Sequence, residues 1–308
     1  MEIPQRPLGT TGVHVSALGL GGYHIAMASS ERDGIRIAHA AIDAGVTFMD
    51  NAWEYHDGRS EQIMGKAIAD RRDRVFLMTK VCTHGRDKRE AMRQLEQSLR
   101  RLKTDYLDLW QIHECAYYND PERHFMRGGV VEALGEARRQ GKVRFIGFTG
   151  HKDPRIHLEM LAHDYPFDTC QLPLNCFDSS FEGRSFERQV LPELLRRRIA
   201  PIGMKSLGGE GRQVKQKVIT ADEGLRYAMS LPVATTVSGI DSMKVLRQNL
   251  KVALNFTRMS PRQMETLRSR VREEAEDGRF ELYKTSAKHE GPEGRKQHGF
   301  PAEEELSA

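Results

Sequence analysis

Eight times along this 308-residue chain a short apolar run is followed by an amphipathic helical pattern. That alternation is the strongest limit on what the chain can become. Strands separated by helical crossovers return to the same edge in the same direction, so they form a parallel sheet rather than hairpins. Strand patterns begin with SALGLGG and continue at 46–50, 74–80, 105–113, 143–149, 167–173, 199–205 and 233–239. Helical patterns fill 30–44, a stretch from Ser60, then 86–102, 129–140, 154–163, 187–198, 221–230 and 242–254. Met92, Leu95, Leu99 and Leu102 mark the clearest apolar stripe. Eight strand–helix pairs at this spacing are expected to make an α/β (β/α)8 TIM barrel, since one such barrel takes about 250 residues. Residues 1–277 then form one domain, with an N-terminal hairpin punctuated by Gly9 and Gly12 and an added helix at 260–277 led by Pro261. Residues 278–308 form a polar tail containing Gly and Pro, partly docked or disordered.

Several function classes fall away on composition. The net charge is only +4, and Arg71-Arg72, Arg100 to Lys103, Arg138-Arg139 and Arg196 to Arg198 each close a helical pattern. Cations there oppose the negative end of the helix dipole and face water, so no nucleic-acid partner is expected. Cys82, Cys115, Cys170 and Cys176 show neither a C-x-x-C pair nor zinc spacing, so no metal is expected and the thiols should be reduced. MEIPQRPLG lacks the apolar core of a signal peptide, and no run approaches the roughly 20 apolar residues of a membrane span. The expected location is cytoplasmic, with no membrane partner. GLGG near the start is not a phosphate loop, because no third glycine opens a helix at the right offset.

Candidate chemistry gathers where strands end. VTFMD stops at Asp50, and the following loop carries Tyr55 before a turn at Gly58. VFLMTK ends in Lys80 and YLDLWQIH ends in His113. One Asp or Tyr after a strand is ordinarily a turn former or packing residue. Three strand ends delivering Asp, Tyr, Lys and His to one rim suit proton transfer instead, because barrel active sites lie at the C-terminal face. A phenol titrates near 10, and a neighbouring ammonium is expected to draw it down. Lys80 supplies that cation, Asp50 balances it, and His113 offers a hydrogen bond to a substrate oxygen. His56, His84 and His151 read as surface histidines.

The chain resembles the aldo-keto reductase family over nearly its whole length. The resemblance rests on RPLGTTGVHVSALGLGG, FMDNAWEYHDGRSEQIMGKA, VFLMTK, TDYLDLWQIH, KVRFIGFTGH, CQLPLNC, IGMKSLGG and VSGIDSMKVLRQNL, in family order. It implies a barrel that binds a nicotinamide cofactor and reduces carbonyls, and the MKSLGG form is similar to a bacterial subgroup. Asp50, Tyr55, Lys80 and His113 match the family's catalytic tetrad position by position.

The cofactor residues follow from the resemblance. Thr149 and Gln171 match the positions that hold the carboxamide, with Gly150 where an asparagine is usual and Asn175 following in QLPLN. Met204 stands where many members stack a tyrosine on the nicotinamide ring. Gly208 and Gly209 match a loop that lets the backbone approach the pyrophosphate. Gly239, Ser242, Lys244, Arg247, Gln248 and Asn249 lie at the adenosine end. Val245 occupies the place where many members carry an arginine for the 2′-phosphate, leaving Lys244 or Arg247 to compensate. The implied cofactor is NADPH, with NADH possible.

Trp53, Tyr117, Tyr118 and Cys176 are expected to line or flank the substrate pocket. The expected partner is a small carbonyl or alcohol; substrate identity and oligomeric state are not legible. Two alternatives stand beside this reading: a cofactor-binding regulatory subunit, and a Schiff-base lyase acting through Lys80.

Overall fold

The computed structural model describes residues 2–82, 87–181, 183–286, 295–296 and 301–305. Strands β1 (Gln5–Pro7) and β2 (His14–Ser16) pair antiparallel as a hairpin. The next eight are β3 (Leu18–Gly21), β4 (Phe48–Asp50), β5 (Phe76–Val81), β6 (Leu107–Ile112), β7 (Val143–Thr149), β8 (Thr169–Pro173), β9 (Ala200–Met204) and β10 (Thr235–Gly239). They run parallel in chain order, and β10 pairs back onto β3 to close a barrel. The expected (β/α)8 architecture is the one observed. Most strands are one or two residues shorter than their apolar runs, because the flanking apolar residues pack without joining the ladder.

Local signals explain the crossover helices. Ser30 accepts a hydrogen bond from the Asp33 amide and starts Glu31–Asp43. Asp87 does the same for Lys88–Leu102 through the Glu90 amide, and Thr220 with Glu223 forms a reciprocal capping box on Ala221–Ser230. Two expected helices are broken. Residues 187–198 divide into Phe186–Gln189 and Leu191–Arg197, because Pro192 has no amide to donate and its ring crowds the preceding turn. Residues 260–277 divide into Pro261–Arg270 and Arg272–Ala275 at Val271, whose backbone leaves the helical range. A helix absent from the sequence reading, Asp120–Phe125, follows β6.

The barrel interior has an apolar floor. Leu8 and Val15 of the hairpin close it from below against Phe48, Phe76, Met78, Leu109 and Ile202. The Phe48 and Phe76 rings stack at 5.3 Å between centroids. Among the described residues, no helix is long and apolar enough to cross a membrane.

Beyond Ala275 the chain folds back across the barrel's C-terminal side. Phe280, Tyr283 and Lys284 are buried there. Lys284 Nζ lies 2.6 Å from Asp178 Oδ1 and 2.8 Å from Glu281 Oε2, with all three side chains out of solvent. Burial pulls the ammonium down, but the two carboxylates outweigh it and hold Lys284 above the ordinary lysine value. Asn175 reaches the same cluster, its Nδ2 donating to Glu281 Oε1 at 3.0 Å and Tyr283 Oη at 3.2 Å. Residues 287–294, 297–300 and 306–308 of the sequence-defined tail lie outside the described residues.

Replacing Lys284 by Met strands two buried carboxylates. The expected loss is about 3–5 kcal/mol of folding stability, read as a lower urea midpoint at unchanged slope. A midpoint equal to that of the wild type would mean that the triad does not hold this segment.

Candidate active site

Side chains alternate across a strand, so residues two apart share a face. Phe48, Phe76, Met78, Leu109 and Ile202 all belong to the interior cluster. Continued upward, the same rows end in Asp50, Lys80, Gln111 and then His113, and Met204. The sequence thus aims its polar strand ends into the barrel mouth by the same period that builds the floor.

Lys80 is at the centre of the mouth. Its Nζ donates to Asp50 Oδ1 at 2.5 Å and to the Asn51 carbonyl at 2.7 Å, and lies 3.4 Å from Tyr55 Oη. Burial draws the ammonium below the ordinary lysine value, against the opposing pull of Asp50. The Tyr55 and His113 rings meet edge to face at 5.5 Å. Asp50, Tyr55, Lys80 and His113 are therefore brought together. One electrostatic expectation is reversed. Burial, then the charges of Asp50, Glu54 and Glu114, pushes the Tyr55 phenol well above the ordinary tyrosine value. Burial, which disfavours the charged phenolate, is the main reason the phenol stays protonated, and the nearby carboxylates add to it.

The loop that carries Tyr55 is bent by three successive left-handed residues, His56 (φ 49°), Asp57 (φ 55°) and Gly58 (φ 86°). Such backbone costs about 1–3 kcal/mol per non-glycine residue, and the surroundings hold it. His56 Nε2 is 2.9 Å from the Tyr23 carbonyl. A Cβ at Gly58 would sit 2.3 Å from the Arg101 guanidinium carbon. Arg101 reaches the Trp53 carbonyl at 2.9 Å and Glu61 Oε2 at 3.2 Å, while Thr79 Oγ1 donates to Glu61 Oε1 at 2.6 Å. The buried Glu61 thereby ties the loop to β5 one residue before Lys80.

Thr149 and Gln171 pair directly across β7 and β8. Gln171 Oε1 is buried with no hydrogen-bond partner among the described residues, and Thr149 Oγ1 lies 4.0 Å from the Met204 sulfur. Gly150 is sterically required. A Cβ there would lie 2.4 Å from the Cys115 carbonyl oxygen and 2.8 Å from His157 Cε1, so the asparagine usual in the family has no room. Gly208 (φ 66°) and Gly209 (φ 83°) form the turn after β9. After β10, Ser242 caps Met243–Leu254 and accepts from the Val245 amide. Lys244, Arg247 and Gln248 are exposed there, Gly239 lies at the tip of β10, and Asn249 is buried, donating to Ser238 Oγ at 3.0 Å.

The four proposed pocket residues are dispersed. Trp53 faces the outer helix, its Nε1 donating to Gln97 Oε1 at 2.8 Å between Arg93 and Arg101. Tyr117 is partly buried beside Asp120. Tyr118 is 62% exposed and donates to Asp153 at 2.8 Å. Cys176 is fully buried, so it offers no surface to a ligand, and burial drives its thiol upward. His84 lies outside the described residues. His151 is buried rather than a surface residue, 3.7 Å from Glu114.

Three residues at the mouth escaped the sequence reading. Lys205, one step past β9, extends its ammonium 4.9 Å from the Tyr283 ring. Burial lowers it first, opposed by Glu114 and reinforced by Lys80. The lysine in MKSLGG was the available signal. Tyr283 arrives from the C-terminal segment, which no local pattern connects to the mouth. Glu54 precedes Tyr55 and bonds His113 Nδ1.

Comparison with known proteins identifies the family. The Aldo/keto reductase family matches residues 17–224. The chain belongs to that family, a class of oxidoreductases. Aldo-keto reductase YhdN of Bacillus subtilis (strain 168) is 34% identical over 196 residues, which span 59% of this chain and 55% of that protein. The holo form of aldo-keto reductase AKR11C1 from Bacillus halodurans shares the fold with a TM-score of 0.71 at 21% identity, over 87% of this chain and 96% of its own. An aldo-keto reductase from Klebsiella pneumoniae in complex with NADPH superposes with a TM-score of 0.69 at 24% identity, over 87% and 94%.

His157, packed beneath Gly150, gives a pH prediction. Burial pushes it from 6.5 down to about 4, partly opposed by the Gln171 backbone and Asp153. Between those values the unfolded chain binds more protons than the fold, so stability falls as pH drops through the window, by about 3 kcal/mol in all. Denaturation curves from pH 7 to 4 should show this loss, and His157→Phe should remove that share of the slope. An identical slope in the variant would refute the assignment.

Proposed function

We propose that this chain transfers hydride between NADP(H) and a small aldehyde or ketone, with Tyr55 as the general acid. The carrying observation is the chain of contacts from Asp50 through Lys80 to the Tyr55 hydroxyl, beside His113. The residues present fit the cofactor. Gln171 Oε1 lacks a partner and suits a carboxamide N–H, and Thr149 adds a hydroxyl alongside. The Lys205 ammonium suits anionic phosphates, and the Gly208–Gly209 turn lets the backbone approach them closely. NADPH supplies the hydride when it is bound.

The side chains do the rest. Tyr55 holds its proton until the step, because burial disfavours the phenolate, and gives it to the carbonyl oxygen as the alcohol forms. Lys80 steadies the phenolate left behind, and Asp50 keeps Lys80 charged. His113 orients the substrate oxygen. The Lys80 ammonium is held by Asp50 and the Asn51 carbonyl, a protonated arrangement that disfavours a Schiff base.

Tyr55→Phe removes the proton donor and leaves the ring. Aldehyde turnover should drop by about two to four orders of magnitude, while fluorescence titration still detects NADPH binding. Turnover near that of the wild type would sink the role.

Cofactor preference rests on the helix Met243–Leu254. Val245 cannot pair with a 2′-phosphate, but the helix N-terminus and exposed Lys244 and Arg247 attract one. A charge-assisted pair is worth about 1.5–3 kcal/mol, or roughly ten- to a hundredfold in affinity. NADPH should bind more tightly than NADH, with the margin narrowing in high salt and in Lys244→Ala or Arg247→Ala. NADH binding as tightly at low salt would overturn this.

A further inference from the structure

Glu54 sits one residue before Tyr55, and its carboxylate spans two strand tips. Oε1 takes a hydrogen bond from Nδ1 of His113, just past β6, and Oε2 accepts one from the thiol of Cys82, just past β5. The Glu54 side chain is 20% exposed and that of His113 is 12% exposed. The backbone on either side of Glu54 is equally held, and its own carbonyl accepts from the Asp57 amide at 3.2 Å. The Trp53 amide donates to the Lys80 carbonyl at 3.1 Å, Arg101 holds the Trp53 carbonyl, and the Tyr55 amide donates to Ala52 O at 3.2 Å. Turning the Glu54 carboxylate away would break contacts to both strands.

We propose that Glu54 is the positioning residue for His113: by accepting the Nδ1 hydrogen it sets the ring's tautomer and presents Nε2 to the substrate oxygen. This builds on the reductase reading above. A neutral imidazole carries one ring hydrogen, and a carboxylate accepts but does not donate, so the bond to Glu54 fixes that hydrogen on Nδ1. Nε2 is then a lone pair directed away from Glu54. It donates to a carbonyl oxygen only when the ring carries its second proton, whose charge Glu54 balances. In the reverse direction the lone pair accepts from the alcohol hydroxyl. Cys82 has a supporting part: its thiol occupies the second oxygen and keeps the carboxylate in the plane that meets Nδ1.

The test reads the tautomer separately from the rate. Nitrogen-15 spectra of histidine-labelled protein, with the signal assigned by its loss in His113→Asn, are recorded at about pH 9, above the ordinary histidine range. The wild type should carry the ring hydrogen on Nδ1. Glu54→Ala should lose that preference and reduce aldehydes roughly ten- to a hundredfold more slowly, with NADPH affinity unchanged. Glu54→Gln, whose amide oxygen accepts the same bond, should restore the tautomer and part of the rate. A wild-type ring protonated on Nε2, or Glu54→Ala keeping both tautomer and rate, would overturn the proposal. Absence of turnover on any carbonyl by the wild type would count against the reductase reading instead, while the spectra still judge Glu54.

Discussion

The buried Lys80–Asp50 pair is the contact around which the barrel mouth is arranged. Removing an ammonium and a carboxylate from water costs several kcal/mol each, and their attraction offsets this only with good geometry and further hydrogen bonds. The 2.5 Å contact to Asp50 and the 2.7 Å bond to Asn51 O meet that condition. They also require the tips of β4 and β5 to lie side by side, as their parallel pairing provides. Glu61, Thr79 and Arg101 reinforce the same junction from outside. The strained turn through His56 and Asp57 is tolerated because its neighbours are already held.

The electrostatics of the mouth follow from burial. Burial first, and then the charges of Asp50, Glu54 and Glu114, keep the proton on the phenol. Lys205 adds a second buried ammonium, drawn down by burial and by Lys80 and raised by Glu114.

The two ends of the barrel are closed by different physics. The hairpin plugs the lower end with Leu8 and Val15, a purely apolar seal that asks only for volume and hydrophobicity. The upper side is met by Tyr283 and Lys284, held through a buried ionic cluster with Asp178 and Glu281. A polar clamp of that kind demands particular partners, and so it positions Tyr283 beside Lys205 and His151.

Much of this architecture was legible in the sequence because it rests on local periodicity. Apolar runs gave the strands, helical stripes gave the crossovers, and Ser30 and Thr220 marked helix starts. The period of two brought Asp50, Lys80 and His113 onto one rim without any knowledge of long-range contacts. What lay beyond the sequence were facts set by approach between distant segments. Glu54 reaching His113, Lys284 meeting Asp178 across 106 residues, and the clash that forbids a side chain at Gly150 all depend on closure of the barrel. The direction in which Tyr55 is tuned depended on it too. The sequence alone showed the nearby ammonium, whereas folding supplied both the desolvation and the three carboxylates that outweigh it.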